Sequence, residues 1–371
     1  MKGPKNYVWA TLTLLLAACG PKEAPGVVVV PENIPMDALA AQVGSIELLQ
    51  LETPGEDFLG QGTMMQLADG NYLLWDVGNK KLQLYGPDGK FLNRIGRSGR
   101  GPGEYHTVWN VLYADGKVYV YENGPDMLVF RPDGTPEEAV TLPVAGGNAF
   151  YPLADGWLGY IGYAYAGKDM VQWIREGQEP VSLIPKPGDS PLAMMMDWPF
   201  SEYGGRVFMP MGWGHEVYAY ADGKVEPWLD LDFGRFTIGD AFFSGDVQAA
   251  FDILQTRYAS VSAYWENERM RVAVVTRAEK KDDDAPVPPR ECLYGICRAG
   301  KWVWINAGDN TDGDPFAYTI SGLDGDALVF LLDPALLPGL DPALREKVSN
   351  PEVLDKLDEE GNYVIAKLHL K

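Results

Sequence analysis

Residues 67–75 read Leu-Ala-Asp-Gly-Asn-Tyr-Leu-Leu-Trp, residues 113–121 read Tyr-Ala-Asp-Gly-Lys-Val-Tyr-Val-Tyr, and residues 153–158 read Leu-Ala-Asp-Gly-Trp-Leu. The Asp-Gly pairs at 69–70, 115–116 and 155–156 stand 46 and 40 residues apart. A second signal, Pro87-Asp88-Gly89 after Leu82–Tyr85, returns 45 residues later as Pro132-Asp133-Gly134 after Met127–Phe130. Asp-Gly between short β-prone runs is hairpin chemistry, because glycine accepts the positive φ that a tight turn demands. Four short strands repeated every 40 to 50 residues describe one blade of a β-propeller.

Working outward, the pattern predicts an all-β, six-bladed β-propeller. Blades centre on residues 63–96, 108–143, 150–185, 206–233 and 258–307, and a sixth combines 317–333 with the C-terminal run Tyr363–Leu370. Ile46 to Leu51 is expected to pair into that last blade and close the ring, which removes exposed sheet edges. Val247, Phe251 and Leu254, and later Leu344, Val348 and Leu354, recur at helical spacing and predict short helical insertions at 246–258 and 342–357.

The first residues carry a different message. Lys2 and Lys5 precede an apolar run from Tyr7 to Leu16, too short to span a bilayer, which ends in Leu16-Ala17-Ala18-Cys19. This reads as a signal peptide over 1–18. A cysteine after Leu-Ala-Ala resembles the lipobox of bacterial lipoproteins, which implies lipidation of Cys19 and cleavage before it. Several acyl chains give stable anchoring where one gives only marginal binding. Residues 19–44, with Pro21, Pro25, Gly26 and Pro31, read as a flexible tether, leaving 45–371 for the propeller. Gly20 after the cysteine, rather than aspartate, points by the same resemblance to the outer membrane of a bacterial cell envelope.

Charge narrows the partners. Lys2 and Lys5 leave with the leader, so 31 basic residues fall to 29 against 52 acidic ones, and the formal charge moves from −21 to −23. Such a surface repels phosphate backbones, so nucleic acid is not an expected partner. A monomeric propeller is expected.

At this point the chain resembles six-bladed β-propeller lipoproteins related in architecture to NHL-repeat propellers. The resemblance is carried by Asp76–Tyr105, where Phe91-Leu-Asn-Arg-Ile-Gly96 leads into Gly101-Pro-Gly-Glu-Tyr105. It continues through Val217–Gly223 with Leu231–Gly234, Asn310–Phe316 and the ending Gly361–Leu368. It implies a propeller at the cell envelope and carries no enzymatic activity.

Several groups are candidates for chemistry. Arg97, Arg100, Glu104, Tyr105 and His106 lie in a glycine-rich link whose spacing is not that of a P-loop. A sharp blade crossing is the preferred reading, and ligand contact the other. Trp198, Trp213 and His215 are an aromatic platform for a sugar or peptide, or else packing between blades. Cys292 and Cys297 flank Gly295, so a local disulfide across a turn is preferred over separate thiols. Asp309, Asp312 and Asp314 offer hard oxygen ligands suited to Ca2+, but no full twelve-residue calcium loop is present and an Asx-rich turn is the simpler reading. No cofactor is expected. Without a Gly-x-Ser-x-Gly elbow or a His-Glu-x-x-His helix, the expectation is a non-catalytic binding module for a protein, peptide or glycan. The alternative is a propeller hydrolase or lyase using a channel-bound metal or acid pair.

Overall fold

The structure, a computed structural model, describes residues 26–35, 38–144, 146–163, 167–190, 192, 196–280, 288–309, 315–317 and 320–371. It is a six-bladed β-propeller. Counted from the inner strand outward, the first blade is Met64–Ala68, Asn71–Asp76, Lys81–Tyr85 and Phe91–Arg94, and the second runs from Asn110–Ala114 to Val140–Thr141. The third runs from Ala149–Leu153 to Val181–Pro185, the fourth from Ser201–Tyr203 to Lys224–Asp232, and the fifth from Arg257–Glu266 to Lys301–Asp309. The sixth takes Gly322–Asp324, Ala327–Leu332 and Val364–Leu370, then Val43–Gln50 as its outermost strand, with Leu48 opposite Ala366. One end of the chain thus locks the other, as the sequence predicts.

The turn residues explain the hairpins. Asp69 and Gly70 adopt φ of 49° and 80°, Asp115 and Gly116 49° and 70°, and Asp222 and Gly223 50° and 76°. Two consecutive positive φ values are the type I′ turn whose twist matches paired strands. The Pro-Asp-Gly turns differ, since only the glycine is left-handed (Gly89 at 75°, Gly134 at 84°). There the aspartate side chain accepts a hydrogen bond from the residue after the glycine, Lys90 at 3.2 Å and Thr135 at 2.9 Å.

Antiparallel blades of this connectivity have two unlike faces. Turns joining first to second and third to fourth strands all fall on one face, where the Asp-Gly pairs sit. Blade crossings and second-to-third connections fall on the other, among them the crossing over 95–109, the crossing that carries the helix Val247–Thr256, and the connection that carries the helices Pro342–Arg345 and Glu352–Asp355. We call these the turn face and the loop face. Between blades, both sheet surfaces are covered by apolar side chains. Phe208, Val217 and Leu229 of blade four meet Val261, Val275 and Leu293 of blade five, and Leu74 and Tyr85 of blade one meet Val329 and Ile365 of blade six.

Two expectations need correction. The sequence predicts a flexible tether over 19–44, yet within it Val27–Val29 forms a strand parallel to the outer strand of blade four, Val28 opposite Leu231. Val30 and Ile34 are buried in the interface between blades four and five. Four consecutive valines, Val27 to Val30, have the β-branched chemistry that suits an uncovered strand edge, and the prolines around them only mark its ends. Cys19 and the rest of the leader lie outside the described residues.

Cys292 and Cys297 form no disulfide with each other. Instead of a turn between them, one continuous strand, Arg290–Arg298, carries both. At five residues' separation they point to opposite faces about 16 Å apart along the strand, far beyond disulfide reach. Gly295 serves packing rather than turning: a Cβ there would come within 2.6 Å of the Trp304 ring. Burial pushes the Cys292 thiol up to about 12.

Candidate functional site

The inner strands surround a central channel, and the crossing into blade four closes it. Trp198 reaches from that crossing to Trp75 of the opposite first blade, centroids 5.7 Å apart, and to Trp265 of blade five at 6.0 Å. These three indoles form a floor across the channel. What remains is a bowl of about 480 Å³ opening toward the turn face.

Five carboxylates line it, Asp69, Asp115, Asp197, Glu202 and Glu266, with no lysine, arginine or histidine among the described lining residues. Three are held by neighbouring groups. Tyr113 donates its hydroxyl to Asp69, and Tyr151 donates to Glu202. Glu266 accepts from the Tyr264 hydroxyl at 2.6 Å and from Trp228 Nε1 at 3.0 Å, with Arg271 at 3.6 Å. Burial, reinforced by Asp69, pushes the Tyr113 hydroxyl up to about 12, so it stays a donor at neutral pH. Asp197 has no hydrogen-bond or ion-pair partner among the described residues. Asp197 is an exposed residue lining the bowl, and desolvation there raises its pKa.

The sequence-predicted residues divide. Trp198 belongs to the bowl, but Trp213 packs on Phe242 at 5.2 Å and Tyr258 at 6.0 Å, and His215 pairs through Nδ1 with Asp230 at 2.7 Å. The structure therefore does not assemble Trp198, Trp213 and His215 into one platform, because each faces a different neighbour.

Arg97, Arg100, Glu104, Tyr105 and His106 do share one loop, the crossing from blade one to blade two. Glu104 organises it, accepting from the Gly101 N–H at 2.7 Å, the Arg100 N–H at 2.9 Å and Arg97 Nε at 2.7 Å. The Gly101 N–H and then Arg97 hold the Glu104 carboxyl below the usual carboxylate range. Tyr105 is buried and Glu122 fixes the His106 N–H at 2.5 Å. A Cβ at Gly99 would fall 2.0 Å from Glu104 Oε2, so the glycine permits this cradle. The loop's polar groups are thus largely spent on each other.

Asp309 closes the outer strand of blade five, and Asp312 and Asp314 lie outside the described residues. Among the described residues no group of three or more His, Cys, Asp or Glu side chains could hold a metal ion.

Sequence reasoning missed Asp197, Glu202 and Trp265. A signal did exist: an Asp-Gly turn between the first two strands of a blade must border the channel mouth, as Asp69 and Asp115 do.

A propeller with a floored, acidic channel is the class that fold and site define. The chain belongs to the DUF4934 family, a domain of unknown function whose model matches residues 32–368. Among solved structures it is similar to a provisionally described exported protein from Bacteroides fragilis, at 17% identity and a TM-score of 0.66, covering 92% of this chain and 98% of that one. It is also similar to a member of the DUF4221 family from Bacteroides vulgatus, at 10% identity and a TM-score of 0.54, covering 89% and 97%. At these identities the likeness speaks for the fold alone. No curated protein matches the chain. Among the described residues no helix is long and apolar enough to cross a membrane.

Proposed function

We propose that this chain is a lipid-anchored protein of the bacterial cell envelope, at the outer membrane, whose propeller is a non-catalytic binding module. Its bowl takes a basic group from a peptide or protein, such as a lysine or arginine side chain. One observation carries the reading: five carboxylates and two half-buried indoles, Trp198 and Trp265, line a single concave site with no lysine, arginine or histidine among its described lining residues, and of the five acids Arg271 pairs with Glu266, at 3.6 Å. Concave sites with converging polar groups are where ligands bind. Carboxylates attract a cation from solution, and indole faces add cation–π attraction once it is desolvated. The lipid anchor rests on the Leu16-Ala17-Ala18-Cys19 sequence.

Thermal-shift titration with oligolysine, oligoglutamate and neutral oligosaccharides tests this. Oligolysine alone should stabilise the protein, less so at high salt, and the double substitution Asp197→Asn, Glu202→Gln should abolish the effect. Equal stabilisation by a neutral oligosaccharide would overturn the charge argument. Turnover of a peptide or glycan in the same panel would instead favour a propeller hydrolase or lyase.

A further inference from the structure

We infer that the rim of blade four is the side of the molecule held against the membrane, and that the N-terminal segment docked there sets this orientation. The inference rests on the reading of Cys19 as the lipidated residue.

The segment is bound along its length. Val27–Val29 adds a fifth, parallel strand to blade four, with Val28 turned inward and Val27 and Val29 facing solvent. The Val30 N–H donates to the Asp232 carbonyl at 2.9 Å. Beyond it, the buried Arg277 of blade five donates through Nη1 to the carbonyls of Pro31 at 3.0 Å and Glu32 at 2.9 Å, while its other edge is held by Glu291. Arg235 binds Glu32 at 3.2 Å and also Glu279, and Phe236 lies under both guanidiniums, 4.4 Å from Arg235 and 5.1 Å from Arg277. Further on, the helix Ala38–Gln42 packs beside the outer strand of blade five before the chain enters blade six at Val43.

This clasp changes the length of the leash. From Cys19 to Val43 the chain can extend about 84 Å, but from Cys19 to Val27 only about 28 Å, at about 3.5 Å per residue. A folded body of this size is about 50 Å across. A leash longer than the body lets it turn over freely, whereas one about half its width does not. Blade one, directly across the ring from blade four, is then the far side.

Equivalent positions allow a test. Lys90 of blade one and Lys224 of blade four each follow the glycine of a third-to-fourth-strand turn. The acylated full chain, carrying a donor dye at Lys90→Cys or Lys224→Cys, is reconstituted in phosphatidylcholine vesicles with an acceptor dye on the headgroups. Transfer should be at least twofold more efficient from position 224. Inserting twenty Gly/Ser residues after Gly26, which leaves the clasp intact, should erase that difference. Equal transfer from both positions in the acylated chain, or a difference that survives the insertion, overturns the inference. Mass analysis of membrane-extracted protein reads acylation separately: an unmodified Cys19 would remove the anchor reading itself, and equal transfer from an acylated chain only the orientation.

Discussion

Trp198, delivered by the crossing into blade four, packs edge-on against Trp75 of the opposite blade with ring centroids 5.7 Å apart. A side chain from one blade thus meets one on the far side of the ring, turning a through-channel into a bowl. Trp75 is fully buried, so the contact joins the channel floor to the core between blades one and two. Trp198→Ala should cost about 2–4 kcal/mol, somewhat below the range of about 3–5 for a fully buried aromatic because Trp198 is half-buried, read as a lower urea midpoint. Trp198→Phe should recover most of that loss.

The pKa of Asp197, next to Trp198, is shifted upward by desolvation in the folded state, so the folded protein holds this proton more tightly than the unfolded chain. Its effect on stability is therefore unfavourable once pH climbs above the ordinary aspartate value and through the raised one. Asp197→Asn should raise the Tm at neutral pH and flatten the decline of Tm over that window. A melting series from about pH 4 to about pH 7 checks both while the binding assay records the lost cation affinity.

Glu104 should show the reverse. Its pKa is depressed by the Gly101 N–H and by Arg97, so its contribution is present above the ordinary glutamate value and is lost as pH falls through the depressed one. Glu104→Gln is expected to lower the Tm near neutrality. The gap to the parent chain should narrow as pH is lowered toward about 3.

Much of this was legible beforehand because local chemistry dictated it. Asp69-Gly70, Asp115-Gly116 and Asp222-Gly223 name type I′ turns, and turns at blade spacing name the propeller. The inner strand Ser201–Tyr203 of blade four escaped notice because three residues make no periodic signal. The bowl was illegible for another reason. Trp75, Trp198 and Trp265 lie far apart in sequence and meet only when the ring closes. Cys292 and Cys297 failed differently: Gly295 looked like a turn, but it clears space for Trp304 inside a strand.

The Arg277 clasp predicts a local effect. Arg277 is 6% exposed and ion-paired to Glu291 at 2.7 Å, so Arg277→Ala should cost about 3 kcal/mol, as breaking one partner of a buried pair does. It should also release the N-terminal segment, seen as new proteolytic cleavage before Val43 under conditions where the parent chain is intact.

The cysteine pair gives a sharp chemical expectation. Unfolding the acylated chain without reductant should expose two titratable thiols, and dithiothreitol should leave the Tm unchanged. A reductant-dependent Tm would restore the disulfide.

The most direct measurement is a crystal structure of the protein with the lysine-rich peptide that stabilises it most. Binding at the bowl predicts density for a lysine side chain against Trp198 and Trp265, its ammonium within hydrogen-bonding distance of Asp197 or Glu202. Peptide density on the loop face, with the bowl holding only solvent, would contradict it.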